Sequence, residues 1–332
     1  MPFLAMRHDF RAPGFGPASQ SEIYAAGMEQ FRWADDHGFD FAVLSEHHGF
    51  TDGWLPSPIT AAAVVVGATT RIPVLLSAVI LPLHDPIRIA EQLVVLDHLS
   101  RGRVLTVVGA GYRPEEFAMA NVNLARRGAI LEAHIQTMLQ AFTGEPFEYE
   151  GRTVQVTPRP FTDPHPPILV GGGVEAAARR AARLRLPMMP MNSDAELVGW
   201  YADEAAKIGF EGGYVMRPSG PTFIHVTEDP ERAWSQIGPH VLYEAQTYAR
   251  MQTGGQHSVP MVVADTIEEV KRSPQVLVGT PDEVLAVAQQ VDAGGALTFN
   301  PLAGGLPPDL AWESLELFAA QVLGRLRPSS QN

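Results

Sequence analysis

Glu46, His47 and His48 stand in a row immediately after the apolar run Phe39–Leu44, so one carboxylate and two imidazoles are delivered together to the end of a short hydrophobic segment. Those side chains suit proton transfer near neutral pH, because imidazole titrates there, and they also suit metal ligation. Adjacent residues of an extended chain point to opposite sides, so His47 and His48 do not readily share one ion. The His-x-His of a metal-dependent barrel hydrolase is also missing, since His8 is followed by Asp9 and Phe10. No metal site is therefore expected, and stoichiometric metal in the purified protein would revive that reading. One histidine is expected to be a packed, hydrogen-bonded loop residue and the other, His47 in preference to His48, an acid–base group. His84 is assigned to the turn that opens a following helix.

Two glycine-rich segments carry a different kind of chemistry. Gly171-Gly172-Gly173-Val174-Glu175-Ala176 fits the G-x-G-x-x-A pattern, but it comes after four βα units, whereas a dinucleotide fingerprint usually opens its domain. The glycines before a helix starting near Val174 suit a phosphate, whose charge the helix N-terminus attracts, and they equally suit a tight strand-to-helix turn. Gly109-Ala110-Gly111-Tyr112-Arg113 would let a flat ring approach the backbone. Tyr112 and Arg113 are placed to reach a phosphate or a sugar-like chain, or Arg113 is simply a surface-loop residue.

The elements that must position these residues are legible as short β-like runs alternating with amphipathic stretches. Eight such runs occur: Phe3–Met6, Phe39–Leu44, Pro73–Ile80, Val104–Val108, Ile168–Gly171, Met188–Met191, Thr222–Val226 and Ala296–Phe299. Ser19 and Glu22 form a capping-box pattern for a helix that runs to about His37 before Gly38, and Pro86 opens another that ends near Leu99. Eight βα units imply a single (β/α)8 TIM barrel over 1–332, with sites at the C-terminal ends of the strands. Two insertions interrupt it: a small hairpin near 147–157 and a long lid-like loop near 251–275.

Composition narrows the function. The 332 residues are 45% hydrophobic and 18% charged with a net charge of −13, and the basic residues are dispersed, which argues against a nucleic-acid partner. No apolar run is long enough to span a bilayer, so no membrane association is expected. Cysteine is absent, which rules out disulfides, thiolate metal sites and a cysteine nucleophile. The opening MPFLAMRHDF does not read as a signal peptide, and a cytoplasmic location is expected.

The order and spacing of several motifs resemble the bacterial luciferase-like flavin-dependent oxidoreductases, close in pattern to the luciferase α subunit. They are Gly38–Asp40 through His48, Leu81–Arg88, Glu91, Leu96-Asp97, Leu99–Arg103, Gly111–Phe117, Ile168–Pro187 and Val278–Glu283. The resemblance spans nearly the whole chain. It implies a barrel that binds FMN in its reduced form, with O2 and a small organic substrate, commonly as a homodimer. A separate NAD(P)H:flavin reductase is implied as partner. His47 and His48 fall on the catalytic positions, while Ser77 and Ala78 align with a cis peptide bond under the flavin ring. Gly109, Ala110, Tyr112 and Arg113 line the ring and phosphate side, and Gly172, Gly173 and Val174 fall on the phosphate contacts. The chain departs from the α subunit where a reactive cysteine and an adjacent arginine are replaced by Gly109 and Ala110. Luminescence is therefore not the expected activity, and Arg113 is a replacement phosphate ligand. The expected function is an FMN-dependent monooxygenase. The alternatives are a deazaflavin-dependent hydride-transfer enzyme on the same fold and a non-catalytic flavin-binding protein. Trp54, Phe117 and Met191 are candidates for the substrate wall.

Overall fold

The structure, a computed structural model, describes residues 1–251 and 264–327. Its strands in chain order are β1 (Phe3–His8), β2 (Phe41–Leu44), β3 (Val74–Val79), β4 (Val104–Val108), β5 (Phe147–Tyr149), β6 (Arg152–Val154), β7 (Ile168–Gly172), β8 (Met188–Pro190), β9 (Phe223–Val226), β10 (Val276–Gly279) and β11 (Ala296–Phe299). The helices are α1 (Gln20–Asp36), α2 (Pro58–Ala68), α3 (Pro86–Ser100), α4 (Pro114–Met119), α5 (Arg127–Ala141), α6 (Glu175–Arg183), α7 (Glu196–Lys207), α8 (Pro230–Met251), α9 (Ile267–Arg272), α10 (Pro281–Gln290), α11 (Pro308–Phe318) and α12 (Gly324–Leu326). All eight β-like runs are strands, and the chain is an α/β protein. Its packing divides into two units: Met1–Val43 with Phe50–Leu55 and Pro218–Asn332, and Leu44–Gly49 with Pro56–Arg217.

In the first unit the strands lie in the order β11, β1, β2, and β1 runs parallel to β11 with Met6 beside Phe299. β9 and β10 form a further parallel pair beside β11, where the Thr298 amide donates to the Pro221 carbonyl at 3.0 Å. Ser19 caps α1 through the full box with Glu22, which fixes where the helix begins. The core between strand and helix is aromatic: Phe299 packs on Phe318 at 4.6 Å and on Phe39 at 5.4 Å, centroid to centroid. Gly27 lets α1 come this close, since a Cβ there would lie 2.5 Å from the Phe10 ring.

The second unit is built on four parallel strands in the order β3, β4, β7, β8. Val74–Val79 and Val104–Val108 are dominated by branched residues, as strands covered on both faces require. Asp85 caps α3 by accepting from the Ile87 and Arg88 amides, and the helix stops at Arg101, whose left-handed φ of 55° turns the chain back toward β4. The expected hairpin is present as the antiparallel pair β5–β6.

The expected lid-like loop near 251–275 is partly corrected. Residues 252–263 lie outside the described residues, whereas 267–272 form α9 with a Thr266–Glu269 capping box. Among the described residues no helix is long and apolar enough to cross a membrane.

Candidate active site

Every residue assigned to catalysis or cofactor binding from the sequence lies in the second unit: His47 and His48 in the segment that follows β2, the others at or just beyond the C-terminal ends of β3, β4 and β7. Glu46 is 2% exposed and sits at the centre. Its Oε1 accepts from Nε2 of both His48 and His84 at 2.6 Å, and its Oε2 accepts the Ile80 amide at 2.8 Å. Burial alone would raise this carboxyl, but the two imidazole hydrogen bonds, the His84 charge and the Ile80 amide outweigh it and hold the pKa down to about 2. The carboxylate therefore carries no proton at neutral pH, and both imidazoles must donate to it. The hydrogen bond to Glu46 in turn raises the pKa of His48.

His47 turns the other way. Its Nδ1 lies 3.3 Å from Oε1 of Glu116, a buried carboxylate that also accepts the His48 amide at 3.0 Å. Arg113 Nη1 donates to the His48 carbonyl at 2.6 Å and stands 3.8 Å from Glu116. The two adjacent histidines thus have separate carboxylate partners, as the alternation of an extended chain requires. His48 is hydrogen-bonded to the Glu46 carboxylate, while His47 is backed by Glu116.

Ligand atoms of Glu46, His48 and His84 lie within 4.8 Å of one another, a grouping that could hold a metal ion. The separations of 2.6 Å are hydrogen-bond lengths, shorter than the roughly 3.3 Å between ligand atoms on a tetrahedral ion with bonds near 2.0 Å. As they stand, the three residues form a hydrogen-bonded cluster.

Beside this cluster runs a strip of small residues. In β3, otherwise buried, only Ser77 and Ala78 keep accessible surface, and the bond between them is the cis peptide that the resemblance implied. Gly109 follows on β4: a Cβ there would lie 3.4 Å from Ala78 Cβ. Gly171 on β7 is adjacent again, its would-be Cβ 3.7 Å from Gly109 Cα. Gly109, Ala110, Gly111, Tyr112 and Arg113 are all half-buried, as are Gly172 and Gly173. The strip leads to α6, where Val174 is the N-cap without a side-chain cap, so first-turn N–H groups remain for a ligand anion. Gly172, with φ of 142°, faces Ala177, and a Cβ on Gly173 would reach within 2.7 Å of Asn192 Nδ2. A flat ring system ending in a phosphate fits this cradle: no side chain rises from the strip at Gly109, Gly171, Gly172 or Gly173.

Three members escaped the sequence reading. His84 was placed in a turn, and it is in the turn, but its ring reaches Glu46. Glu116 falls inside the Gly111–Phe117 motif without a role of its own in the sequence, and it lies in the first turn of α4. Asn192, whose Nδ2 donates to the Gly173 carbonyl at 3.2 Å, carried no signal beyond lying after a strand. Of the suggested substrate wall, Phe117 is fully buried under Gly111, and Trp54 is packed in the first unit against Arg11, so neither stands open in this strip.

Parallel strands thus end in a small-residue cradle beside paired histidines. Residues 8–297 match the luciferase-like monooxygenase family, and the chain belongs to that family. It is 28% identical over 176 residues to the alkanal monooxygenase alpha chain of Photorhabdus luminescens, covering 52% of this chain and 49% of that protein. The match therefore spans about half the length of this curated relative. Among solved structures, the oxygenating constituent of 3,6-diketocamphane monooxygenase from Pseudomonas putida, in complex with FMN, superposes with a TM-score of 0.72 over 98% of this chain and 99% of that one at 18% identity. An F420-dependent secondary alcohol dehydrogenase in complex with an F420-acetone adduct does so with a TM-score of 0.68 over 97% and 98% at 13% identity. These likenesses show the fold.

Proposed function

We propose that the protein is an FMN-dependent monooxygenase whose eight parallel strands close into a single (β/α)8 barrel domain over 1–332. The observation that carries this reading is the accessible strip Ser77–Ala78–Gly109–Gly172–Gly173 running from the Glu46–His47–His48 cluster to an uncapped helix start. Reduced FMN, when bound, supplies with O2 the oxidising chemistry toward a small organic substrate, and a separate NAD(P)H:flavin reductase supplies the reduced cofactor. Ser77, Ala78, Gly109 and Ala110 support the ring, Tyr112 and Arg113 border it, and Gly172, Gly173 and Val174 take the phosphate. Arg113 also pins the His48 carbonyl, so it orients the histidine pair. His47 holds or moves the proton at its imidazole, with Glu116 stabilising the charged form. Glu46 keeps His48 and His84 in fixed orientation.

A second reading is supported by the likeness in fold to the F420-dependent enzyme: a deazaflavin coenzyme on the same strip would make this a hydride-transfer oxidoreductase. Titrating the protein with FMN and with F420, each oxidised and reduced under anaerobic conditions, separates the two. Tight binding of reduced FMN with no retention of F420 is expected, and the reverse preference overturns the monooxygenase assignment. The same titrations address the flavin-binding protein without activity, which would bind oxidised and reduced FMN alike and leave O2 consumption unchanged. The protein is further proposed to be a cytoplasmic homodimer joined through α2 and α3, which leave Val64, Val95 and Leu99 between 51% and 63% exposed.

A further inference from the structure

The cradle at the end of β7 is made of glycine, so something outside it must decide which way its backbone faces. Gly172 closes β7 with a φ of 142°, and Gly173 follows it. Neither carries a side chain that could hold the turn by packing, and glycine populates conformations of either hand about equally. The orientation of these peptides therefore comes from their neighbours.

Two contacts from the end of β8 supply it. The Met191 amide donates to the Gly172 carbonyl at 3.2 Å, which continues the β7–β8 ladder by one step. One residue further on, a side chain takes over from the backbone: Asn192 Nδ2 donates to the Gly173 carbonyl at 3.2 Å. The Asn192 amide is itself oriented, because its Oδ1 accepts the Asp194 amide at 3.2 Å. Turned over, it would set oxygen against the Gly173 carbonyl and NH2 against an N–H, so the assignment of its two ends is settled by these partners. The fit is close, since a Cβ on Gly173 would lie 2.7 Å from Nδ2.

The consequence follows from the planarity of the peptide bond. The bond between Gly173 and Val174 is trans, so its carbonyl and its N–H point in opposite directions. Holding the Gly173 carbonyl toward Asn192 therefore turns the Val174 N–H the other way. Val174 is the N-cap of α6, and the Ala177 and Ala178 amides return to its carbonyl, whereas among the described residues its own amide donates to no acceptor. That N–H stands at the positive end of the helix, where an anion is favoured. Glu175, the acid of the first turn, lies 2.7 Å from Arg179, which meets its charge.

We propose that Asn192 is a positioning residue for the cofactor phosphate: by holding the Gly173 carbonyl it aims the Val174 N–H at the anion, and so contributes to a preference for a phosphorylated flavin over an unphosphorylated one. The inference rests on the flavin reading and adds to it a residue outside the glycine cradle. Asn192 acts through the Gly173–Val174 peptide, and its contribution is that of one neutral hydrogen bond, about two- to tenfold in affinity.

Fluorescence titration with FMN and with riboflavin, which shares the ring and sugar-like chain but lacks the phosphate, tests the role. Wild type is expected to bind FMN more tightly than riboflavin. Asn192→Ala should weaken FMN by about two- to tenfold and leave riboflavin within about twofold. Asn192→Asp should weaken FMN by more than about tenfold at neutral pH, because a carboxylate repels both the Gly173 carbonyl and the phosphate. Its FMN affinity should recover, relative to wild type at the same pH, as pH falls toward about 4, where the protonated carboxyl donates to the carbonyl as the amide does. A merely structural residue would weaken both flavins alike and show no such recovery. Wild type that binds neither flavin removes the flavin reading and this inference with it, and wild type that binds both equally removes the phosphate preference while leaving the ring site standing. A clear FMN preference in wild type that persists unchanged in folded Asn192→Ala, or equal weakening of both flavins there, overturns the role of Asn192 alone.

Discussion

Replacing Glu46 by Gln keeps the shape of the side chain and removes its charge. The carboxyl moves from its ordinary 4.5 to about 2 in the folded protein, which at roughly 1.4 kcal/mol per pH unit corresponds to about 3 kcal/mol of folding stability at neutral pH. The group is 1% exposed, so solvent screening takes little from that figure. The raised pKa of His48 reflects the same interaction seen from the other partner and is not added to it. An amide cannot accept from both imidazoles and from the Ile80 N–H at once, because one of its two ends is a donor. The sign differs on the two flanks. Glu46 is depressed, so its contribution is present above 4.5 and lost as pH falls toward 2. His48 is raised, so its contribution is complete below 6.5 and lost as pH climbs through its folded value. The stability gap between wild type and Glu46→Gln should therefore be widest between 4.5 and 6.5 and narrow on either side. Urea unfolding of both proteins across that range measures it, and a proton NMR titration should show His48 returning toward 6.5 in the variant. A gap below about 0.5 kcal/mol, or one that does not vary with pH, refutes the charged cluster.

His47→Ala should retain the fold and most flavin affinity while lowering turnover roughly 10²–10⁴-fold, as loss of an acid–base group does, whereas His48→Ala should have a milder effect on turnover. Steady-state oxidation of reduced FMN with a substrate found by screening reads both, and the opposite ranking reverses the assignment within the pair. Gly173→Asp should weaken FMN binding severely, because the new side chain meets Asn192 and sets a negative charge where the phosphate docks; unchanged affinity in a folded variant by fluorescence titration removes the phosphate site. Val64→Glu combined with Val95→Glu should convert a dimer to a monomer by light scattering, and a wild-type monomer at working concentration ends the homodimer proposal.

The strands were legible because hydrophobic runs bounded by turn residues carry their own signal, and the capping box at Ser19 fixed the start of α1 as expected. β10 was missed as a strand: Val276–Gly279 is four residues long, ends in glycine and follows a polar stretch. Within the site, the glycines and the histidine pair declared themselves through composition and order. His84 and Glu116 did not. His84 joins the cluster from the turn before α3 and Glu116 from the first turn of α4, 38 and 68 residues from their partners, and local pattern holds no trace of so distant a meeting. Arg113 was singled out for a phosphate, and its contact with the His48 carbonyl depends on the path of the chain after β4, which one sequence does not disclose.

The single oxygen of Glu46 shared by two imidazoles, with the other oxygen on the Ile80 amide, also constrains how the chain can drift over generations. Aspartate is one methylene too short to reach all three donors, glutamine offers the wrong polarity at one end, and loss of either histidine leaves a buried acceptor half-served. No member can be exchanged alone without harm. In diverging copies of this chain, positions 46, 48 and 84 should change together or not at all, so that a copy lacking His84 would also carry a different residue at 46 or 48. Position 80 is freer, since it is held through its backbone and can accept any apolar side chain that leaves the amide in place.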